Sequence, residues 1–167
     1  MLRKRRPKAP LPPDEADSAA AALAAAVAHL SRRDFCSAEL AARLAGEGFN
    51  AEAVHSALAQ ASERHYVDDE RYAQQFVTAR AQRGQGPLRI RRDLTGLGLS
   101  AALADAALQE SGEAQGGWVS LARAVRIRRF GVPLPRGARE TARQARFLQY
   151  RGFSNDDIRS AAGHDVD

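Results

Sequence analysis

With 167 residues, 44% of them hydrophobic and 27% charged, the chain has a globular composition and room for one ordinary domain or a few small repeated units. No apolar run approaches the ~18 residues that a membrane-spanning helix needs, and a single cysteine, Cys36, excludes an intrachain disulfide and a thiolate zinc cluster. The net charge of +5 is accounted for by Arg3, Lys4, Arg5, Arg6 and Lys8, which leaves 20 cations against 20 acids in the remainder.

Pro7, Pro10, Pro12 and Pro13 accompany that basic cluster. So little apolar surface does not offset the entropy of ordering, and residues 1–17 are expected to form a flexible arm. No apolar stretch with a cleavage site follows the basic start: Ala19–Val27 is mostly alanine and His29 interrupts it. The expectation is therefore a cytoplasmic chain without a secretory signal. Helical periodicity begins at Ser18, with Leu23, Val27 and Leu30 at steps of four and three, and predicts a helix over Ser18–Ser31. Further helices are predicted over Asp69–Gln82, where Tyr72, Phe76 and Ala79 share a face, and over Trp118–Phe130, where Leu121 and Val125 do.

Between and beyond these helices a pattern recurs three times. The first copy is Leu40-x-x-x-Leu44-x-x-x-Gly48-Phe49-Asn50, followed by Val54 and Leu58. The second is Ile90-x-x-x-Leu94-x-x-x-Gly98-Leu99-Ser100, followed by Leu103 and Leu108, and the third is Leu148-x-x-x-Gly152-Phe153-Ser154, followed by Ile158 and Ala161. The glycine closes one helix in the left-handed conformation that a Cβ would strain. The next residue plugs the turn, and Asn50, Ser100 or Ser154 then caps the following helix. Ser154-x-x-Asp157 is also a capping-box pattern. Strand-like alternation is missing. The fold class expected is all-α: three tandem three-helix, helix-turn-helix-like repeats in an elongated arc, over residues 18–65, 66–112 and 117–162, with a tail at 163–167.

Catalytic signals are weak, and no catalytic, cofactor-binding or metal-ligating residue is assigned. His29, His55, His65 and His164 have neither H-E-x-x-H spacing nor partner cysteines. Asp68-Asp69-Glu70 suits a helix N-terminus, where acids meet the positive end of the dipole. Gly84-x-Gly86 lacks the ending of a phosphate loop, and Cys36 is expected to be a small buried or half-buried residue.

Charge segregation is the stronger signal. Arg71–Arg92 holds six arginines and no acid, and Val119–Arg151 holds nine arginines against Glu140 alone. Arg80, Arg83, Arg89, Arg91 and Arg92 converge on the Gly-Gln-Gly-Pro joint as one candidate contact patch; Arg123, Arg126, Arg128 and Arg129, with Arg143 and Arg146 nearby, form a second. Both suit a polyanion or an acidic protein surface. The alternative is an arginine-rich composition whose side chains cap helix ends and stay solvated.

The stretch Asp68-Asp69-x-Arg71-Tyr72-Ala73-x-x-Phe76-Val77, followed by Arg83-Gly-x-Gly-Pro-x-x-Ile90-x-x-x-Leu94-x-x-x-Gly98, resembles the central signature of the RecX family, and the flanking units are similar to that family's tandem three-helix repeats. The resemblance covers roughly residues 18–162. Departures are Asp34-Phe35-Cys36, where members commonly carry a charged residue, His and Ser, and Gln85, where a lysine is common. The resemblance implies a monomeric, non-enzymatic regulator, without cofactor, of the recombinase RecA. It would bind RecA and the RecA–single-stranded DNA filament and inhibit ATP hydrolysis, strand exchange and co-protease activity, thereby modulating recombination, DNA repair and the SOS response. Direct sequence-independent DNA contact accompanies that reading, and no membrane association does. Two alternatives remain open: a sequence-specific helix-turn-helix transcriptional regulator, which would footprint defined operators as a dimer, and a pure protein-interaction scaffold.

Overall fold

The computed structural model describes residues 11–114 and 116–163. Ten helices occur in chain order among them: α1 (Pro13–Ala16), α2 (Ala19–Leu30), α3 (Ser37–Glu47), α4 (Ala51–Glu63), α5 (Asp69–Gln82), α6 (Pro87–Gly96), α7 (Ala101–Ala114), α8 (Trp118–Phe130), α9 (Gly137–Arg151) and α10 (Asn155–Ala161). The described residues contain no strand. Two compact units divide the chain, one ending at Tyr72 and the other beginning at Ala73.

In the first unit α2 packs against α4 and α3. Leu40, Leu44, Phe49, Val54 and Val67 are buried there with the alanines of α2 and α4. The arm expected over residues 1–17 differs from the structure at its C-terminal end; residues 1–10 lie outside the described residues. Leu11 packs on the first core, and Pro13–Ala16 forms the short α1. The Ala16 carbonyl accepts the Asn50 N–H at 3.0 Å, and Asp17 accepts the Asn50 side-chain amide at 2.6 Å. Proline at the first helical position is preorganised for a turn, and a distant N-cap residue supplies the anchor that composition does not reveal.

The three glycine joints share one bonding pattern. Gly48, Gly98 and Gly152 have φ of 108°, 94° and 91°. Each glycine N–H bonds the carbonyl three residues back, and the plug after it bonds the carbonyl five back: Phe49 to Leu44, Leu99 to Leu94, Phe153 to Leu148, at 3.2–3.3 Å. This is a Schellman turn with its apolar contact, since both members of each pair are buried. The predicted caps also form. Asn50, Ser100 and Ser154 accept the N–H groups of Ala53, Leu103 and Asp157, and Ser154 with Asp157 completes a capping box.

In the second unit α6 packs on α7, and α8 packs on α10 and α9. The turn Gly84-Gln85-Gly86 meets the third glycine joint there, backbone against backbone. Gly86 N–H donates to the Arg151 carbonyl at 2.8 Å and Leu88 N–H to the Gly152 carbonyl at 2.9 Å. These bonds occupy donors at the start of α6, where Gly86 provides no side-chain cap, and acceptors at the end of α9. Opposite ends of two helix dipoles are thereby brought together. A Cβ on Gly86 would lie 2.4 Å from Gly152 and Phe153 backbone atoms, and one on Gly152 would lie 2.3 Å from the Arg89 Cβ.

Gly86 has an ordinary φ of −88°, so alanine there would suffer only from the close approach. Gly86→Ala is expected to cost about 1–3 kcal/mol by overpacking in chemical denaturation followed by the fluorescence of Trp118, the only tryptophan. Gly96→Ala, with open space around it, should be neutral or stabilising. Equal stability of the Gly86→Ala and native chains would contradict the backbone contact.

Candidate functional site

The expected arginines occupy different environments, which the local sequence does not separate. Around the Gly84–Gly86 turn, Arg83 is exposed just beyond α5, and its carbonyl accepts from Arg151 Nη1 at 3.0 Å. Arg80, in the last turn of α5, lies over the Phe76 ring at 4.7 Å. Arg92 on α6 has a side chain 76% exposed and only a loose 3.7 Å approach to Asp93. Arg89 is half-buried: its stem faces Gly152, and its Nε is buried without a hydrogen-bond partner.

Arg91 points to α7 and forms a two-point pair with Asp105, at 2.6 and 3.0 Å. The hydrogen bond from Arg91 holds the Asp105 carboxyl below its ordinary range. A carboxylate so lowered contributes above its unfolded pKa and loses that contribution as pH falls through the folded value. Arg91 thus has a close carboxylate partner, Arg92 only a loose one, and Arg83 none among the described residues.

The second group divides more sharply. Arg123, Arg128 and Arg129 are exposed on α8, and Arg143 and Arg146 are exposed on α9. Arg126 is not part of that surface, contrary to its assignment as a contact candidate. It is 2% exposed, and its guanidinium donates to the Pro133 carbonyl at 3.0 Å, the Val132 carbonyl at 3.3 Å and Gln144 Oε1 at 3.5 Å. The physical reason is the chain reversal after α8. Gly131, at φ 90°, lets residues 131–135 fold back so that their carbonyls surround the guanidinium.

Four further cationic or aromatic positions, Arg136, Arg139, Tyr150 and Arg151, lie outside the two expected patches. Arg136 and Arg139 line one groove with Arg143, Arg146 and Tyr150. The signal in the sequence is the run 139, 143, 146, 150, whose steps of three and four keep one face of α9, with Arg136 at the N-cap position before it. Arg151 sits at the joint, bonded to Arg83 and lying 5.3 Å from the Phe147 ring centre.

The acidic motif before α5 has a structural role finer than a dipole interaction. Asp68 caps α5 by accepting the Arg71 N–H at 2.9 Å, while Asp69 accepts the Ser37 N–H at 2.7 Å and caps α3. Cys36 is the N-cap residue of α3, and the carboxylate from α5 supplies a charged oxygen acceptor at that helix start. Cys36 is buried, and burial pushes its thiol pKa up, disfavouring the nucleophilic thiolate. Among the described residues no three His, Cys, Asp or Glu side chains gather as a metal cage would require, and no helix is long and apolar enough to cross a membrane.

Helices in sets of three, joined by matching glycine turns and carrying exposed arginines, define a tandem-repeat helical protein with a cation-rich surface. The RecX second three-helix domain matches residues 68–108, and the RecX third three-helix domain matches residues 119–161. The chain is 43% identical over 138 residues to Regulatory protein RecX of Halorhodospira halophila, covering 83% of this chain and 84% of that one. It is 41% identical over 139 residues to Regulatory protein RecX of Pseudomonas fluorescens, covering 83% and 88%. The chain belongs to the RecX family of regulatory proteins. Its fold is shared with the crystal structure of RecX from Lactobacillus salivarius, at a TM-score of 0.77, 18% identity and coverage of 90% and 96%.

Assignment of Arg126 to the core gives a direct expectation. Arg126→Met should lower stability by about 1–3 kcal/mol, because loop carbonyls lose their donors. Arg128→Met and Arg129→Met should stay within about 0.5 kcal/mol of the native chain. Chemical denaturation of the three variants checks this, and equal stabilities would return Arg126 to the surface group.

Proposed function

We propose that this chain binds the recombinase RecA and its single-stranded DNA filament and restrains RecA's ATP hydrolysis, strand exchange and co-protease activity. Family membership supports the regulatory role, and the resemblance to RecX proteins implies the partner. The observation that carries the contact surface is the set of exposed guanidiniums around one joint, foremost Arg83, which has no carboxylate partner among the described residues, and Arg92, held only loosely by Asp93 at 3.7 Å. Arg80 and Arg89 flank them, and Arg123, Arg128, Arg129, Arg143 and Arg146 extend the cationic surface. Arg91 contributes only as far as Asp105 releases it, and Arg126 is excluded by burial.

The chemistry favours sequence-independent binding. Guanidiniums engage phosphates or carboxylates through paired N–H donors without reading base edges. Such contacts displace counterions, so inhibition should weaken as salt rises. Several contacts on one body raise affinity together, since the first docking makes the rest intramolecular. The filament would thus be recognised as a charged assembly, with the regulator acting by occupancy.

Arg83→Glu with Arg92→Glu is expected to raise the concentration needed to inhibit RecA's single-stranded DNA-dependent ATPase by roughly tenfold or more, with helicity unchanged in circular dichroism. Asp105→Asn, which releases Arg91, should strengthen inhibition and steepen its salt dependence by about one ion. Undiminished inhibition by the folded double variant would contradict the contact surface. Absence of inhibition by the native chain, or protection of a defined duplex operator without RecA, would contradict the function itself.

A further inference from the structure

We infer that the outer face of α9 is a binding site for unpaired nucleic acid in its own right, with Tyr150 as a stacking platform for a base. This deepens the preceding reading and rests on it in that Arg143 and Arg146 belong to both surfaces. Its test contains no recombinase, so the two stand or fall separately.

The face is a groove of about 830 Å³ beside α9. Arg139, Arg143 and Arg146 run along it at steps of three and four residues, which is ~4.5–6 Å along a helix axis, and Arg136 lines it from the N-cap position before α9. None of the four pairs with a carboxylate among the described residues. The groove's single acid, Glu140, is already engaged: it accepts the Arg136 backbone N–H at 2.8 Å and the Gln144 side-chain amide at 3.4 Å. Its charge therefore complements the start of α9. The result is a line of cations with spare donors, suited to a polymer that carries an anion at every residue.

The aromatic content narrows the class. Tyr150 is 82% exposed, far beyond what core packing explains, and it closes the line of arginines one turn past Arg146. Phe147 lies beside it, held edge-on to Phe130 at 5.3 Å, while Arg143 sits 5.4 Å from the Phe130 ring centre. The floor is thus fixed while the Tyr150 ring is left open. An exposed ring amid guanidiniums is the arrangement by which proteins hold a strand without reading its sequence: cations track the backbone, and the ring takes the face of a base. In a duplex those faces are stacked on each other and closed to the ring. An acidic protein segment would meet the arginines but would give the ring no flat partner.

Binding of a fluorescent 15-nucleotide oligothymidylate to the full chain, followed by anisotropy across a salt series, tests this with three ligands: the strand, an abasic strand of equal length and a duplex. Tyr150→Ala should weaken binding of the thymidylate strand roughly tenfold, and Tyr150→Phe should restore it. Neither change should alter binding of the abasic strand. Arg139→Gln with Arg143→Gln should weaken both strands alike and reduce the salt slope by about 1.4. The inference is overturned if the native chain does not bind the thymidylate strand, or if Tyr150→Ala binds it as well as the native chain. Duplex binding as tight as strand binding and indifferent to Tyr150 would equally overturn it, leaving a face that reads charge alone. RecA inhibition by Tyr150→Ala bears on the filament reading and not on this one.

Discussion

The contact between the Gly84–Gly86 turn and the Gly152 joint governs the arrangement of the second unit. Two backbones approach so closely that neither Gly86 nor Gly152 has room for a methyl group, and the two N–H donors at the start of α6 find their acceptors in the last carbonyls of α9. A helix normally meets its unpaired terminal groups with side chains or water. Here each helix serves as the cap of the other. Gly84 reinforces the contact, because a Cβ there would lie 2.9 Å from Val125 of α8. Glycine thus does more at this joint than permit a turn: it removes the atoms that would hold α6 away from α9.

The consequence for function is that arginines 68 residues apart in the chain belong to one body. Arg83 and Arg151 are linked through a carbonyl at 3.0 Å, and the stem of Arg89 lies against Gly152. Flexible cations dispersed over independent helices would each lose side-chain entropy on binding and gain little. Cations mounted on one body present a fixed array, and that array, more than net charge, distinguishes this surface from a merely arginine-rich one. The internal pairings refine it. Asp105 withdraws Arg91 and the 131–135 loop withdraws Arg126, while Arg83, Arg92, Arg143 and Arg146 remain exposed.

Those parts of the fold with local causes could be read from the residues alone. The three glycine–plug–cap joints needed only the neighbours of each glycine, and they formed with one bonding pattern. The helices Asp69–Gln82 and Trp118–Phe130 begin and end where periodicity and stops place them. What sequence did not disclose depends on partners distant along the chain. Gly84-x-Gly86 could be excluded as a phosphate loop, yet its true counterpart is Gly152. Asp69 resembles an ordinary acid of a first helical turn, but it caps α3. Arg126 sits close to Arg128 and Arg129 in the chain, but it shares the buried face of α8 with Ala122 and Val125, where Gln144 of α9 and the carbonyls beyond Gly131 receive its guanidinium. Tyr150 and Arg139 were legible in principle, since steps of three and four align them with Arg143 and Arg146. Their signal is a helical stripe that ends in an aromatic ring, not a cluster of cations along the chain.

The most direct test of this account is native-state hydrogen exchange at the Gly86 and Leu88 amides. Neither has an acceptor within α6, so any protection reports on the bonds to Arg151 and Gly152 alone. Both are expected to exchange as slowly as the amides in the middle of α6, opening only with the unit. Exchange at the rate of a solvated first-turn amide would show that α6 and α9 are not clasped, and the single rigid array of arginines would be lost with them.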